Sequence, residues 1–226
     1  MKNKIIFFIL VLSPLNVLSQ NFRPSLEKRQ EIEQRKKVME QEKEKVRYKN
    51  FNFSREQIEI IKKCNTAENS KYLTFNEREF ILLHNLVRID PEFFKIYISL
   101  QYDSSLVKLI KPKLIHSNRS LLQPDFGLYK SAKTHSIKSG KKGTIGHQNL
   151  DKRILKYNYH FVKKEKMFYG ENCSYGDQTI VEHFISLLNS PGHFKTLMTP
   201  TFNSIGVSQQ PHVKYSDNVV ACFAKK

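Results

Sequence analysis

The pattern of hydrophobic and polar positions predicts a mainly helical first half of the domain. A capping box at 54–57 precedes isoleucines at helical spacing, which predicts a short helix over about 55–64. A second capping box, at 74–77, leads into an apolar helical face that includes Phe80, Leu83 and Val87. A third helix is predicted to start at Asp90, because Asp suits the cap position and Pro follows it at the first helical position.

A longer helix is expected to start near Asp125, with Leu128, Ala132 and His135 on one face at spacings of four and three. A buried packing role is favoured for His135, and a place lining a cleft is the alternative. Three further elements around this helix are a short helix at 106–110, a basic flexible loop at 139–143 and a helix over 149–159.

The last third alternates helix and strand. A third capping box, at 179–182, starts an apolar helix. Two strands are predicted at 205–208 and 219–224, and the ten residues between them favour an antiparallel pair. His212 and Tyr215 fall in that loop and are expected to face solvent. Helices followed by mixed helix and antiparallel strand indicate an α+β class.

The first 19 residues are typical of a secretory signal peptide. Two lysines precede an apolar run from Ile5 to Leu18, which is too short to favour a membrane span. Cleavage after Ser19 would leave 207 of the 226 residues and lower the net charge from +17 to +15. The protein is therefore expected to be secreted or periplasmic, with no transmembrane segment after cleavage.

The basic charge favours an acidic partner such as a lipid surface or a cell-wall polymer. Nucleic acid is disfavoured, because no basic motif carries the aromatic residues that stack bases. Residues 25–49 are dominated by charged side chains. Ile32, Met39 and Val46 repeat every seven residues, but the partner heptad positions are charged, so a coiled-coil interface is incomplete. These residues predict a solvated helix or a disordered arm. The expected organisation is a leader at 1–19, a charged extension with one short helix at 20–71, and a domain at 72–226.

Two short motifs near the end carry the candidate chemistry. Gly170-Glu171-Asn172 follows a polar turn, and Asn189-Ser190-Pro191-Gly192-His193 opens a helix. The Ser190 hydroxyl suits a helix cap, and Pro191 suits the first helical position. His193 then lies in the first turn, where the positive end of the helix dipole favours a neutral imidazole.

These motifs, with Pro-x-Phe-x-x-Ile-Gly-Val at 200–207, resemble the bacterial form of the CAP superfamily, the cysteine-rich secretory, antigen 5 and pathogenesis-related class 1 proteins. The resemblance runs from about Thr74 to the C-terminus. It includes an Asn-x-x-Arg in the first helix of the domain, at Asn85 and Arg88. It implies a three-layer α-β-α sandwich with a small antiparallel sheet, preceded by the charged helical or disordered extension.

The resemblance also implies a surface cleft that contains His147, Glu171 and His193, with Asn172 and Ser190 as neighbouring candidates. Many relatives have a second Glu where Ser190 stands and a Trp where Leu187 stands. Two histidines and one carboxylate suit a divalent metal such as zinc. The alternatives are a polar cluster that holds helix against sheet, and a catalytic site.

Three cysteines leave at least one thiol unpaired within one chain. Because Cys173 and Cys222 both lie in the region of resemblance, they are the favoured disulfide pair. Cys64 lies in the extension.

Three functions remain open from the sequence. The first is a secreted module that binds a ligand or a surface through the cleft, with or without a metal. The second is a metal-dependent hydrolase, a peptidase or nuclease, that uses the same cleft. The third is a surface-interaction protein that acts through the charged arm at 25–49.

Overall fold

The structure is a computed structural model that describes residues 53–112, 114, 119–159, 162, 167–176 and 178–226. The predicted leader at 1–19 and the charged arm at 25–49 lie outside these residues. The described residues all belong to one unit, Glu44–Lys226. Among them, no helix combines the length and hydrophobicity that a bilayer crossing requires.

The described residues form eight helices and four strands. The helices are α1 (Arg55–Cys64), α2 (Phe75–Ile89), α3 (Pro91–Gln101), α4 (Ser104–Lys108), α5 (Phe126–Lys142), α6 (Leu150–Tyr157), α7 (Ile180–Asn189) and α8 (Pro191–Leu197). The strands are β1 (Gln123–Pro124), β2 (Tyr169–Tyr175), β3 (Ser204–His212) and β4 (Ser216–Ala224).

The helix starts follow the local signals in the sequence. All three capping boxes form, with Ser54, Thr74 and Thr179 as caps. Asp90 caps α3 by accepting a hydrogen bond from the Phe93 amide at 2.9 Å, and Pro91 follows it. The short helix expected at 106–110 starts two residues earlier, because Asp103 caps it through the Ser105 amide at 2.7 Å.

The sheet has the strand order β1-β3-β4-β2 and is the middle layer of a three-layer α-β-α sandwich. β2, β4 and β3 are antiparallel neighbours, and β1 adds a two-residue parallel edge. Alternate side chains of β4 enter two separate cores. Val219, Ala221 and Phe223 join the larger core with helices α1, α2, α3, α7 and α8. Val220, Cys222 and Ala224 join the smaller core under α5 and α6.

Helix α5 lies directly on the sheet at Gly206. A Cβ atom built there would come within 2.0 Å of the Tyr129 backbone nitrogen. The predicted face of Leu128, Ala132 and His135 is buried, as expected. The flexible loop predicted at 139–143 is wrong, because α5 continues to Lys142 and ends at Gly143 in the left-handed conformation (φ 65°).

The hairpin of β3 and β4 is longer than predicted. The two strands pair from Ser204 with Ala224 out to His212 with Ser216, which leaves a three-residue turn in place of a ten-residue loop. The solvent-facing position predicted for His212 is therefore wrong, since this residue ends a strand and is 2% exposed. Tyr215 is exposed, as predicted.

The predicted disulfide between Cys173 and Cys222 is wrong. All three cysteines are free and buried. The strand register pairs Cys222 with Glu171 and Cys173 with Val220, so the two thiols are not direct cross-strand neighbours. Their sulfur atoms contact oxygen atoms instead, at Glu171 for Cys222 and at Gly146 for Cys173.

Arg88 fixes the end of α8, the helix that carries His193. Its side chain is fully buried and donates hydrogen bonds of 2.8–3.1 Å to four backbone carbonyls. The four carbonyls belong to Ser120, Leu197, Thr199 and Phe202. One side chain therefore joins α2, the segment before β1 and the connection from α8 to β3.

Candidate functional site

Glu171 lies within strand β2, on the side of the sheet that α5 and α6 cover. The side chain has no solvent exposure. Its neighbours on this face of β2 are Cys173, in the smaller core, and Tyr175, packed against that core. A carboxylate in such a place must be neutralised or fully hydrogen-bonded, because burial of an isolated charge is very costly.

Arg153, on α6, provides this neutralisation. Its Nη1 donates to Glu171 Oε2 at 2.8 Å, and its Nη2 donates to Oε1 at 3.1 Å. Arg153 is itself 7% exposed and also donates to the Ser131 carbonyl at 3.2 Å. The pair is therefore a buried, two-bond guanidinium–carboxylate contact, which is the strongest geometry for this ion pair.

Two more donors complete the environment of the carboxylate. His147 Nδ1 lies 3.1 Å from Glu171 Oε1, and Cys222 Sγ lies 3.4 Å from Oε2. A carboxylate can accept about four hydrogen bonds, two on each oxygen. Glu171 therefore has each oxygen engaged twice, by Arg153 and His147 on one and by Arg153 and Cys222 on the other.

These contacts set the protonation of the site. Burial opposes ionisation of Glu171, but the hydrogen bonds from His147 and Arg153 outweigh it and lower the pKa to about 2. The hydrogen bond to Glu171 raises the pKa of His147 above its usual value. Burial, and then the charge of His147, lower the pKa of His193. As the pH falls, His147 therefore takes up a proton before His193 does.

The loop between α5 and α6 holds His147 in place through Gly146. The Gly146 carbonyl accepts hydrogen bonds from His135 Nε2 at 2.7 Å and from the Tyr175 hydroxyl at 3.3 Å. Gly146 has a φ of 98°, a conformation that glycine adopts without strain. His147 then donates Nδ1–H to Glu171, and its side chain remains 49% exposed.

His193 and its motif approach from the other side of β2. Asn172 is 1% exposed and donates from Nδ2 to the His193 carbonyl at 3.0 Å, which ties the first turn of α8 to the strand. Ser190 is the N-cap residue of α8, but its hydroxyl makes no capping hydrogen bond, contrary to expectation. Pro191 occupies the first turn, as predicted.

The structure brings His147 and Glu171 into direct contact and places His193 within electrostatic range of His147. Sequence reasoning missed Arg153, because a single Arg in a Lys-rich amphipathic helix carries no local signal of its partner. The sequence indicates Cys222 only as a disulfide partner. For His135, burial was the favoured outcome, and it is 3% exposed.

One group of side chains has the composition and spacing of a metal site, but it differs from the expected set of His147, Glu171 and His193. His135, Glu171 and Cys173 place one potential ligand atom each within 4.8 Å of one another. The hydrogen bonds at this point do not fit a bound cation. Both Glu171 oxygens are saturated, His135 Nε2 is committed to a carbonyl, and burial raises the pKa of the Cys173 thiol well above its usual value. Arg153 also places a positive charge beside the carboxylate.

A Ser-His-Asp arrangement lies on the opposite face of β2. Ser174 Oγ is 2.9 Å from His183 Nδ1, and His183 Nε2 is 3.8 Å from Asp217 Oδ2. His183 is fully buried and Ser174 is 7% exposed, so the group links β2 to α7 and does not present a nucleophile to solvent.

Comparison with known proteins agrees with this fold and motif order. The family model described as "CAP: Cysteine-rich secretory protein family" matches residues 82–223, which is more than half of the chain. The chain belongs to the CAP family. No curated protein matches this CAP chain.

Three solved structures are similar to this CAP protein. An outer surface protein from Borrelia burgdorferi is 27% identical, with 48% of this chain and 79% of that one covered and a TM-score of 0.40. An extracellular protein containing an SCP domain, from Bacillus anthracis, is 25% identical over 48% of this chain and 35% of that one, with a TM-score of 0.40. A cysteine-rich secretory protein from Staphylococcus aureus is 13% identical over 66% of this chain and 38% of that one, with a TM-score of 0.41. The chain spans little more than a third of the last two proteins.

Proposed function

We propose that this CAP protein is an exported ligand-binding module whose cleft at His147, Glu171 and His193 binds an anionic group without a metal. Export is supported by the predicted leader at 1–19 and by membership of a family described as secretory. The observation that carries the binding proposal is the saturated Glu171 carboxylate.

The charge balance of the cleft favours an anion. The charges of Arg153 and Glu171 cancel within the buried pair. His147 can add positive charge at the surface as the pH falls through its pKa, which is raised, because its side chain is half exposed. His193 offers a second imidazole, whose pKa is lowered, within electrostatic range. A carboxylate or phosphate group can therefore accept a charge-assisted hydrogen bond from His147, in keeping with the acidic lipids and wall polymers that the net charge of +17 favours.

The anion-binding proposal is tested by titrating inorganic phosphate into the purified protein and following the imidazole NMR signals. The signals of His147 and His193 should shift together and saturably, and the affinity should fall as the pH rises through the pKa of His147. His147→Gln should abolish the effect. Lys62→Gln, which removes one distant surface charge, should preserve it. The absence of saturable shifts, or their persistence in His147→Gln, would contradict the proposal.

The metal-dependent alternative rests on the same residues and on the group of His135, Glu171 and Cys173. It requires Arg153 to withdraw from at least one Glu171 oxygen. Calorimetric titration of zinc into the parent protein separates the two functions. We expect no saturable zinc binding. Saturable binding that is lost in His193→Ala would establish a metal site at His147, Glu171 and His193. Metal-dependent hydrolysis would then be the function to test.

A further inference from the structure

A second surface of the protein combines exposed hydrophobic side chains with lysines, and we call it the tip surface. It consists of residues 138–145, at the end of α5 and just after it, and residues 211–216, around the β3–β4 turn. These two segments contain four lysines and no acidic residue. The lysines are Lys138, Lys141, Lys142 and Lys214, and all four are exposed.

Hydrogen bonds hold the two segments of the tip surface together. The Val213 amide donates to the Gly140 carbonyl at 3.0 Å. His212 Nε2 lies 3.1 Å from the Thr144 carbonyl, and its Nδ1 accepts from the Lys214 amide at 3.2 Å. The buried His212 ring also contacts the rings of Tyr175 and Tyr215. The turn is therefore fixed against the end of α5.

The tip surface nevertheless exposes large hydrophobic side chains. Val213 is 73% exposed, the highest value among the large hydrophobic residues of the described chain. Ile145 is 53% exposed and Tyr215 is 42% exposed. The Val213 and Tyr215 amides donate to the Gly140 and His212 carbonyls, and the Ile145 carbonyl accepts a hydrogen bond from the Gln148 side chain. These side chains are therefore presented to solvent by a defined structure. Exposed hydrophobic groups with a polar rim are characteristic of interaction sites.

We propose that the tip surface docks this protein on lipid bilayers that contain anionic lipids. Val213 and Ile145 would enter the interfacial region, Tyr215 would lie at the headgroup level, and the four lysines would contact the anionic headgroups. A soluble acidic polymer would satisfy the lysines but would leave the aliphatic side chains in water. The combination of charge and exposed aliphatic groups therefore favours a bilayer. This surface does not include the imidazoles of the cleft, and the docking does not depend on the proposed function.

The absence of tryptophan from the whole chain allows a direct test. Val213→Trp introduces a single indole at the tip, and Leu109→Trp introduces one at a position that is 51% exposed and belongs to neither tip segment. Vesicles of phosphatidylcholine alone and of phosphatidylcholine with phosphatidylglycerol are added to the full chain. The Val213→Trp emission should shift to the blue only with the anionic vesicles, and the Leu109→Trp emission should stay unchanged.

Vesicle co-sedimentation separates the hydrophobic and electrostatic contributions. The double variant Val213→Ser, Ile145→Ser should lower the affinity for anionic vesicles about tenfold, and Lys214→Gln should lower it about fivefold. The matched controls Leu109→Ser and Lys108→Gln should bind like the parent. Ile145→Ser alone replaces the double variant if the latter does not fold.

Three results would overturn the proposal. The first is no binding to anionic vesicles. The second is an unchanged affinity in the aliphatic variants, which would indicate simple adsorption of a basic protein. The third is a blue shift in both tryptophan variants. Val213→Ser should lower the vesicle affinity and leave the phosphate-induced shifts of the His147 and His193 signals as in the parent, so failure of membrane docking can be distinguished from failure of the anion-binding cleft.

Discussion

Arg153 and Glu171 form a buried two-bond ion pair that joins helix α6 to strand β2, with N–O distances of 2.8 and 3.1 Å. The pair decides the chemistry of the cleft, because it removes the carboxylate from the set of groups available to a cation. It also leaves His147 as the half-exposed imidazole of the cleft. The carboxylate therefore acts through His147, which it orients and whose pKa it raises.

Removal of the guanidinium should destabilise the protein strongly. Arg153→Met leaves Glu171 as a buried charge without its counter-ion, and such losses cost about 3–5 kcal/mol. We expect the free energy of unfolding, measured with urea, to fall by this amount. The double variant Arg153→Met, Glu171→Gln removes both charges and should recover much of the loss. A double variant no more stable than Arg153→Met would show that the ion pair is not the cause.

The same carboxylate should make the fold sensitive to acid. The Glu171 pKa is lowered from 4.5 to about 2. Its contribution to stability is therefore complete above the ordinary carboxyl pKa and is lost as the pH falls towards 2. A difference of this size corresponds to about 3 kcal/mol. Urea unfolding at a series of pH values should show this loss in the parent and not in Glu171→Gln. Glu68→Gln, at an exposed position, should keep the pH dependence of the parent.

His147 and His193 should titrate as coupled groups. Burial is the larger cause of the low His193 pKa, and the charge of His147 adds to it. His147→Gln removes that charge, so the pKa of His193 should rise. NMR titration of the imidazole signals measures the change directly, and Lys62→Gln serves as the control for loss of a distant charge. An unchanged His193 pKa would mean that the two rings do not share a cleft.

Local signals in the sequence predicted much of the fold. The caps at Ser54, Thr74 and Thr179 act within one helical turn, so their sequence motifs determine the helix starts directly. The resemblance to the CAP family predicted that Glu171, His147 and His193 share one cleft. The structure adds what depends on tertiary packing, above all Arg153, whose side chain meets Glu171 only because α6 packs over β2.

Two of the wrong predictions concern segments whose polar or basic composition is typical of loops. Polar residues at the end of the hairpin suggested a loop, but the backbone ladder continues to His212 and Ser216, and neighbouring rings bury His212. The basic residues at 139–143 predicted a flexible loop, but residues 139–142 form the last turn of α5, where the helix dipole favours cations. Strand pairing and ring contacts therefore decided the first segment, and continuation of the helix decided the second.

The contact of α5 with the sheet gives the sharpest test of the packing. Gly206→Ala would place a Cβ atom 2.0 Å from the Tyr129 nitrogen and 2.2 Å from the Leu128 carbonyl carbon, and these backbone atoms cannot move aside without shifting α5. Overpacking of this kind costs about 1–3 kcal/mol or more. Gly192→Ala is the matched control, since nothing lies within 4 Å of its added Cβ. Urea unfolding should show a large loss for Gly206→Ala and an unchanged or slightly raised stability for Gly192→Ala. Equal stabilities of the two variants would mean that α5 does not rest on β3 at this distance. Because His135 lies on α5, its hydrogen bond to the Gly146 carbonyl would then be in question as well.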